Sequence, residues 1–136
     1  MFKSGGLMKV SVVGSRNILT VDLHKYLPSN TSEIISGGSV GVDACAKNYA
    51  QNNRIKFTQL LPNFELYGRS APLKRNDLLV DSADKVIAFW DGKSRGTKHV
   101  IDYAKKRGAD LTVYMPSGES AVDSGGRFKK LGQNEL

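Results

Sequence analysis

Apolar residues along the chain fall into two alternating patterns. Short β-branched runs at Lys9–Val13, Glu33–Ser36, Lys56–Leu61, Lys85–Trp90 and Leu111–Tyr114 predict five strands. The longer stretches between them predict four helices. In the second, Val42, Cys45, Ala46, Tyr49 and Ala50 share one face at steps of three and four residues. In the fourth, Thr97, Val100, Ile101, Ala104 and Gly108 do the same. Lys105, Lys106 and Arg107 fill its last turn, where cations suit the helix dipole, and Gly108 suits the C-cap. The first helix, Thr20 to Leu27, is short and stops before Pro28, and the third starts near Pro72, a residue tolerated in a first turn. Phe64–Ala71 reads as loop.

Strands alternating with helices predict βαβ units and a mainly parallel sheet. The fold class is α/β, a three-layer Rossmann-like domain with a five-stranded sheet in the order 3-2-1-4-5. Periodicity stops after Pro116, so residues 1–116 are expected to form one domain and 117–136 an irregular tail. A chain of 136 residues with 40% hydrophobic composition is long enough for one core and short for two. No apolar run reaches the roughly 20 residues that span a bilayer, and Met1 to Lys9 lacks the apolar centre of a secretory signal. A cytoplasmic protein without membrane partners is expected. A single cysteine, Cys45, excludes an internal disulfide, and no cysteine or histidine cluster has metal-ligand spacing, so no metal is expected.

Charge sharpens the picture by its position. The net charge is +7, yet the last twenty residues carry three acids and three bases, which leaves the excess in the body of the chain. Ligands of open α/β sheets settle outside the carboxyl ends of the strands, and three distinctive loops fall there. Gly14, Ser15 and Arg16 follow the first strand, where they offer donors to a phosphate, although taken alone an ordinary turn explains them better. Ser36, Gly37, Gly38, Gly41 and Asp43 lie between the second strand and the clearest helix; the glycines can turn bare N–H groups towards an anion at a helix N-terminus. After the fourth strand, Asp91, Gly92, Ser94, Gly96 and Thr97, with Lys93, Arg95 and Lys98 among them, combine backbone donors, hydroxyls and positive charge. The spacing is not that of a phosphate loop of nucleotide triphosphatases.

Outside the loops, Arg75 and Asn76 on the third helix could fork onto a phosphate and read a base or ribose, or could be solvated helix residues. Of Phe89 and Trp90 at the strand end, one packs inside and the other can stack on a base. His24 reads as a surface residue and Cys45 as core. His99 adjoins the basic loop without an obvious orienting partner in sequence.

The Gly-Ser-Arg turn, Ser-Gly-Gly-Ser-Val-Gly-Val-Asp, Lys-Arg-Asn-Asp and Ala-Asp-Lys-Val-Ile-Ala-Phe-Trp-Asp-Gly-Lys-Ser-Arg-Gly-Thr occur in that order. Together they resemble the SLOG superfamily over residues 8–115. That superfamily joins the DNA-processing protein A family to the cytokinin-activating "Lonely guy" enzymes, and the Phe-Trp-Asp-Gly-x-Ser-x-Gly-Thr signature is similar to that of a small branch of it. The resemblance implies a nucleotide-type ligand in a site built from the residues just named, with no required cofactor, and a dimer. Similarity to the enzymes at Arg75 and Gly96-Thr97 ends at Val100, where they carry a catalytic glutamate.

Three functions follow as expectations. The first is binding or sensing of a nucleotide or nucleotide-derived ligand, such as one related to ADP-ribose or a signalling nucleotide. The second is cleavage of the N-glycosidic bond of a nucleoside monophosphate, for which Asp91 or Asp102 would have to supply the missing carboxylate. The third is single-stranded nucleic-acid binding, which the charge permits but for which the aromatic platform is thin.

Overall fold

The computed structural model describes residues 6–117 and 128–132. Six strands, β1 (Met8–Gly14), β2 (Thr31–Ser36), β3 (Lys56–Gln59), β4 (Lys85–Phe89), β5 (Leu111–Pro116) and β6 (Phe128–Lys130), form one sheet in the order β3-β2-β1-β4-β5-β6. The first five are parallel and stand as their hydrophobic runs predict. The sixth is antiparallel to β5.

Alternation along the strands divides the core between two faces. Val10 and Val12 of β1, Ile34 of β2, and Ile87 and Phe89 of β4 face α1 (Val42–Asn52), which buries Val42, Ala46 and Ala50 against them. Val13, Ile35, Val86, Ala88 and Val113 face the other way, onto α3 (Ala71–Asp81) and α4 (Arg95–Arg107). Helix α4 is capped at its start by Ser94, whose hydroxyl accepts the Thr97 N–H, and at its end by Gly108 with φ 69°, the left-handed cap that the sequence predicts. Among the described residues no helix is long and apolar enough to cross a membrane.

Three local expectations are corrected. The segment expected to be the first helix forms only a 3-10 turn, Leu23–Lys25, capped by Asp22. Its apolar residues, Val21 and Leu23 with Ile18 before them, pack on the sheet as irregular chain, and too few residues precede Pro28 to offset helix nucleation. Phe64–Ala71 is not loop: Asn63 caps a single-turn helix α2 (Phe64–Tyr67), which a 3-10 turn, Gly68–Ser70, joins to α3. None of the residues of α2 is buried, so no periodicity announced it. The tail is not irregular throughout, because β6 extends the sheet and Phe128 packs edge-on against Tyr26 and Phe89. Residues 118–127 and 133–136 of the expected tail lie outside the described residues.

The crossovers from β1 run one way across the sheet, towards β2 and β3, and those from β4 run the other. The carboxyl ends of β1 and β4 are therefore neighbours, Gly14 beside Phe89, at the point where the order reverses. Doubly wound sheets open a crevice there because the loops on either side leave towards opposite faces.

Candidate functional site

A cavity of about 510 Å³ occupies that crevice, within the range of small-molecule sites. Its lining comes from the ends of β1 and β2, the start of α1, the inner face of α3, the loop after β4 and the first turn of α4. Of the residues predicted from sequence, Gly14, Arg16, Gly37, Asp43, Arg75, Asn76, Asp91, Ser94, Gly96 and Thr97 line it. Val13, Asn17, Ser39, Pro72, Leu73, Leu79 and Val100 also do so without having been singled out as contacts. Inward-facing helix residues such as Leu79 and Val100 carry the same periodic signal whether they meet a core or a cavity. Asn17 and Ser39 are small polar loop residues with no signal beyond their neighbours.

Ser15, Ser36, Gly38, Gly41 and Gly92 do not line the cavity, and Ser15, Ser36 and Gly41 instead hold the surrounding chain in place. Ser15 is 1% exposed; its hydroxyl donates to Asp91 Oδ1 at 3.2 Å and accepts the Asp91 N–H at 3.1 Å, tying the first loop to the third. Ser36 is wholly buried and donates to the Val12 carbonyl at 3.1 Å. Gly41 precedes α1 with φ 75°, and a Cβ there would stand 2.5 Å from the Ile18 carbonyl oxygen. Both its conformation and its close approach thus serve the chain itself.

Asp91 organises the third loop. Its Oδ1 also accepts the N–H groups of Lys93 and Ser94, each at 2.8 Å, while the Trp90 indole donates to the Ser94 carbonyl at 3.1 Å. Trp90 is therefore a staple of the loop, and Phe89 beneath it is fully buried. Partial burial raises the Asp91 carboxyl, but the Ser94 and Lys93 N–H groups, with the side chains of Ser15 and Asn17, outweigh it and hold the group below the ordinary carboxylate value. An anion so held suits loop architecture and is ill suited to giving up a proton.

Asp43 behaves in the opposite way. It is 6% exposed, and burial pushes its carboxyl up despite the Ser39 N–H at 2.8 Å, hydroxyls of Ser36 and Ser39, and nearby Arg75. Burial likewise lowers Arg75, against the pull of Asp43. Arg75 Nη1 donates to the carbonyls of Gly37 at 2.9 Å and Leu60 at 3.2 Å, and Nε donates to Asn76 Oδ1 at 3.0 Å. Nη1 thus ties α3 to the second loop at Gly37 and to the residue after β3 at Leu60.

The basic residues of the third loop do not supply the charge of the cavity. Lys93 and Arg95 are exposed and outside the lining, and Lys98 Nζ sits 2.8 Å from both oxygens of Asp102 one turn along α4. The cavity's arginines are Arg16 and Arg75. Asp102, paired on the exposed side of α4, is not brought to the site. His99 gains an orienting partner in space, Asp77 on α3 at 3.1 Å, but the pair also lies outside the lining. Among the described residues no group of three or more histidine, cysteine, aspartate or glutamate side chains could hold a metal ion.

The two aspartates carry opposite signs in stability against pH. For Asp91, lowered in the folded state, the stabilisation is present above the ordinary carboxylate value and lost as pH falls through the lower folded value; for Asp43, raised, acid favours the folded state. Asp91→Asn is accordingly expected to be less stable than the native chain at pH 7, with the gap narrowing below about pH 4. Urea unfolding across that range measures it, and a gap independent of pH would remove the charge of Asp91 from the account of the loop.

No protein-family model matches this chain, and no curated protein matches it.

Proposed function

We propose that the cavity binds a nucleotide or nucleotide-derived ligand. The observation that carries this reading is the coincidence of three features at the β1/β4 switch point: a cavity of nucleotide size, the N-terminal turn of α4 on its wall, and Arg16 and Arg75 on its lining. By helix geometry the N–H groups of Arg95 and Gly96 have no acceptor within α4, and the helix dipole favours a phosphate there. The apolar side chains of Val13, Pro72, Leu73, Leu79 and Val100 give a base or sugar a dry surface. The resemblance to the SLOG superfamily supports the same reading and extends the proposal to membership of that superfamily and to a dimer.

Binding without turnover is the better-supported form. Val100, 2% exposed on the cavity wall, offers no carboxylate. Asp91 is held ionised by its loop, and Asp102 faces away. Single-stranded nucleic acid needs a track of unpaired cations, and the pairing of Lys98 with Asp102 interrupts the basic run.

Titration calorimetry against adenosine, inosine and guanosine monophosphates and ADP-ribose is expected to give saturable binding by at least one. A folded protein that binds none of them would sink the proposal. Release of free base from a monophosphate, lost in Asp91→Asn, would replace it with the glycosidase reading.

A further inference from the structure

Asn76 is 7% exposed and lines the cavity, yet its hydrogen bonding is only half complete. Its Oδ1 accepts from Arg75 Nε at 3.0 Å, while Nδ2 donates to no described residue. No fully enclosed polar side-chain atom among the described residues lacks a partner, so Nδ2 keeps accessible surface, and the cavity is the space that Asn76 lines. Arginine is donor-only, which fixes the amide orientation: oxygen towards Arg75, nitrogen away from it. Arg75 in turn is fixed by the carbonyls of Gly37 and Leu60.

We propose that Asn76, held by Arg75, is a donor-only reader of the ligand: it requires an acceptor oxygen on the bound molecule and rejects a donor at that place. A free amide can turn to offer either its oxygen or its nitrogen, and an asparagine that reads adenine uses both at once. Asn76 has given its oxygen to Arg75. A group that presents only N–H to it would leave Nδ2 buried against another donor, a penalty that discriminates more strongly than a missing contact. The required oxygen can belong to a phosphate or to the carbonyl of a 6-oxopurine; both carry the same acceptor chemistry. Asn76 is then the binding residue and Arg75 its positioning residue. The proposal rests on the nucleotide reading above and specifies what the ligand must present.

The test uses the full chain with inorganic phosphate, inosine, inosine monophosphate and adenosine monophosphate as probes. In a nitrogen-15 spectrum, the Asn76 Nδ2 protons are expected to shift on saturation with the bound probe. In Arg75→Lys, which lacks the Nε donor, that shift is expected to shrink while the Thr97 amide still responds. Asn76→Leu is expected to weaken binding by about tenfold or more, as loss of a hydrogen bond to a charged or desolvated acceptor does. If the acceptor is phosphate, both monophosphates and inorganic phosphate weaken together. If it is the base carbonyl, inosine and its monophosphate weaken alone, and the native chain prefers inosine monophosphate to adenosine monophosphate. Asn76→Asp, which exchanges donors for acceptors, keeps the test open should the leucine variant fail to fold, and it is expected to bind at least as poorly.

Unmoved Nδ2 protons at saturation, or binding within twofold of native in both Asn76 variants, would overturn this proposal and leave the nucleotide reading standing. A native chain that binds none of the four probes, and neither guanosine monophosphate nor ADP-ribose, would overturn both.

Discussion

Gly96→Asp is expected to leave the protein folded and at least as stable as the native chain while weakening a phosphate-bearing ligand by a hundredfold or more. The stability half follows from the space around the residue. A Cβ at Gly96 meets nothing within 4 Å, and the residue sits in the first turn of a 13-residue helix. Replacing a helical glycine recovers up to about 1 kcal/mol of propensity, and an acid at a helix N-terminus adds about 0.3–1 kcal/mol. The binding half follows from the same geometry, since Gly96 lines the cavity and the new carboxylate would stand where an incoming phosphate must. Two charges 4 Å apart at an effective dielectric of about 20 repel by about 4 kcal/mol, roughly three decades in Kd. Gly96→Ala is the neutral control and should bind within a few-fold of native. Calorimetry with the tightest-binding nucleotide, beside a thermal melt, separates the two effects. An unchanged Kd in the aspartate variant would take the α4 N-terminus out of the site.

At Gly14 the expectation is reversed: the fold, before the ligand, suffers. A Cβ on Gly14 would lie 2.4 Å from Val42 Cγ2 and 2.5 Å from Val42 Cβ. Val42 is fully buried, and its β-branched side chain is stiff at χ1, so it has little room to turn aside. Gly14→Ala therefore has to push α1 off the sheet, and overpacking of that kind costs about 1–3 kcal/mol. With both close atoms near the helix backbone, the upper end is expected, about 3 kcal/mol. A domain of this size should then lose more than about 6 °C in Tm. The second substitution Val42→Ala should recover part of that loss, because the two residues compete for one volume, and a cycle of the four proteins measures the coupling. Strict additivity, or an alanine variant as stable as native, would contradict the packing account. The first glycine of the candidate site is thus required by helix-on-sheet contact, whatever binds above it.

The two glycines looked alike as sequence, each in a loop after a strand, and only their surroundings tell them apart. The same limit applies to the charged residues. Lys93, Arg95 and Lys98 cluster in the sequence beside the third loop, yet they lie outside the lining and Lys98 pairs with Asp102, while Arg16 and Arg75, 59 residues apart in number, line one cavity. Asp91 reads as a candidate catalyst because it is an acid in a glycine loop. In space it joins Ser15, 76 residues earlier, to the N–H groups of its own loop. His99 has no partner in sequence and finds Asp77 across the α3–α4 contact.

Where the register of burial is local, the chain by itself is decisive. The short β-rich runs of β1, β2, β4 and β5 and the three- and four-residue spacing in α1 and α4 determined the α/β class, the parallel order of the first five strands and the edge of the sheet at which the loops collect. These patterns survive because each residue's side is set by backbone geometry within two to four positions. Tertiary structure alone decided the rest. The strand β6 exists through pairing with β5 and the packing of Phe128, not through any pattern of its own. The division of the glycine-rich loops into residues that face the cavity and residues that hold the loops in place was also left to it. That division depends on hydrogen bonds between segments far apart in the chain, such as Arg75 to Gly37 and Ser15 to Asp91, whose partners are set by the order of the strands and not by spacing.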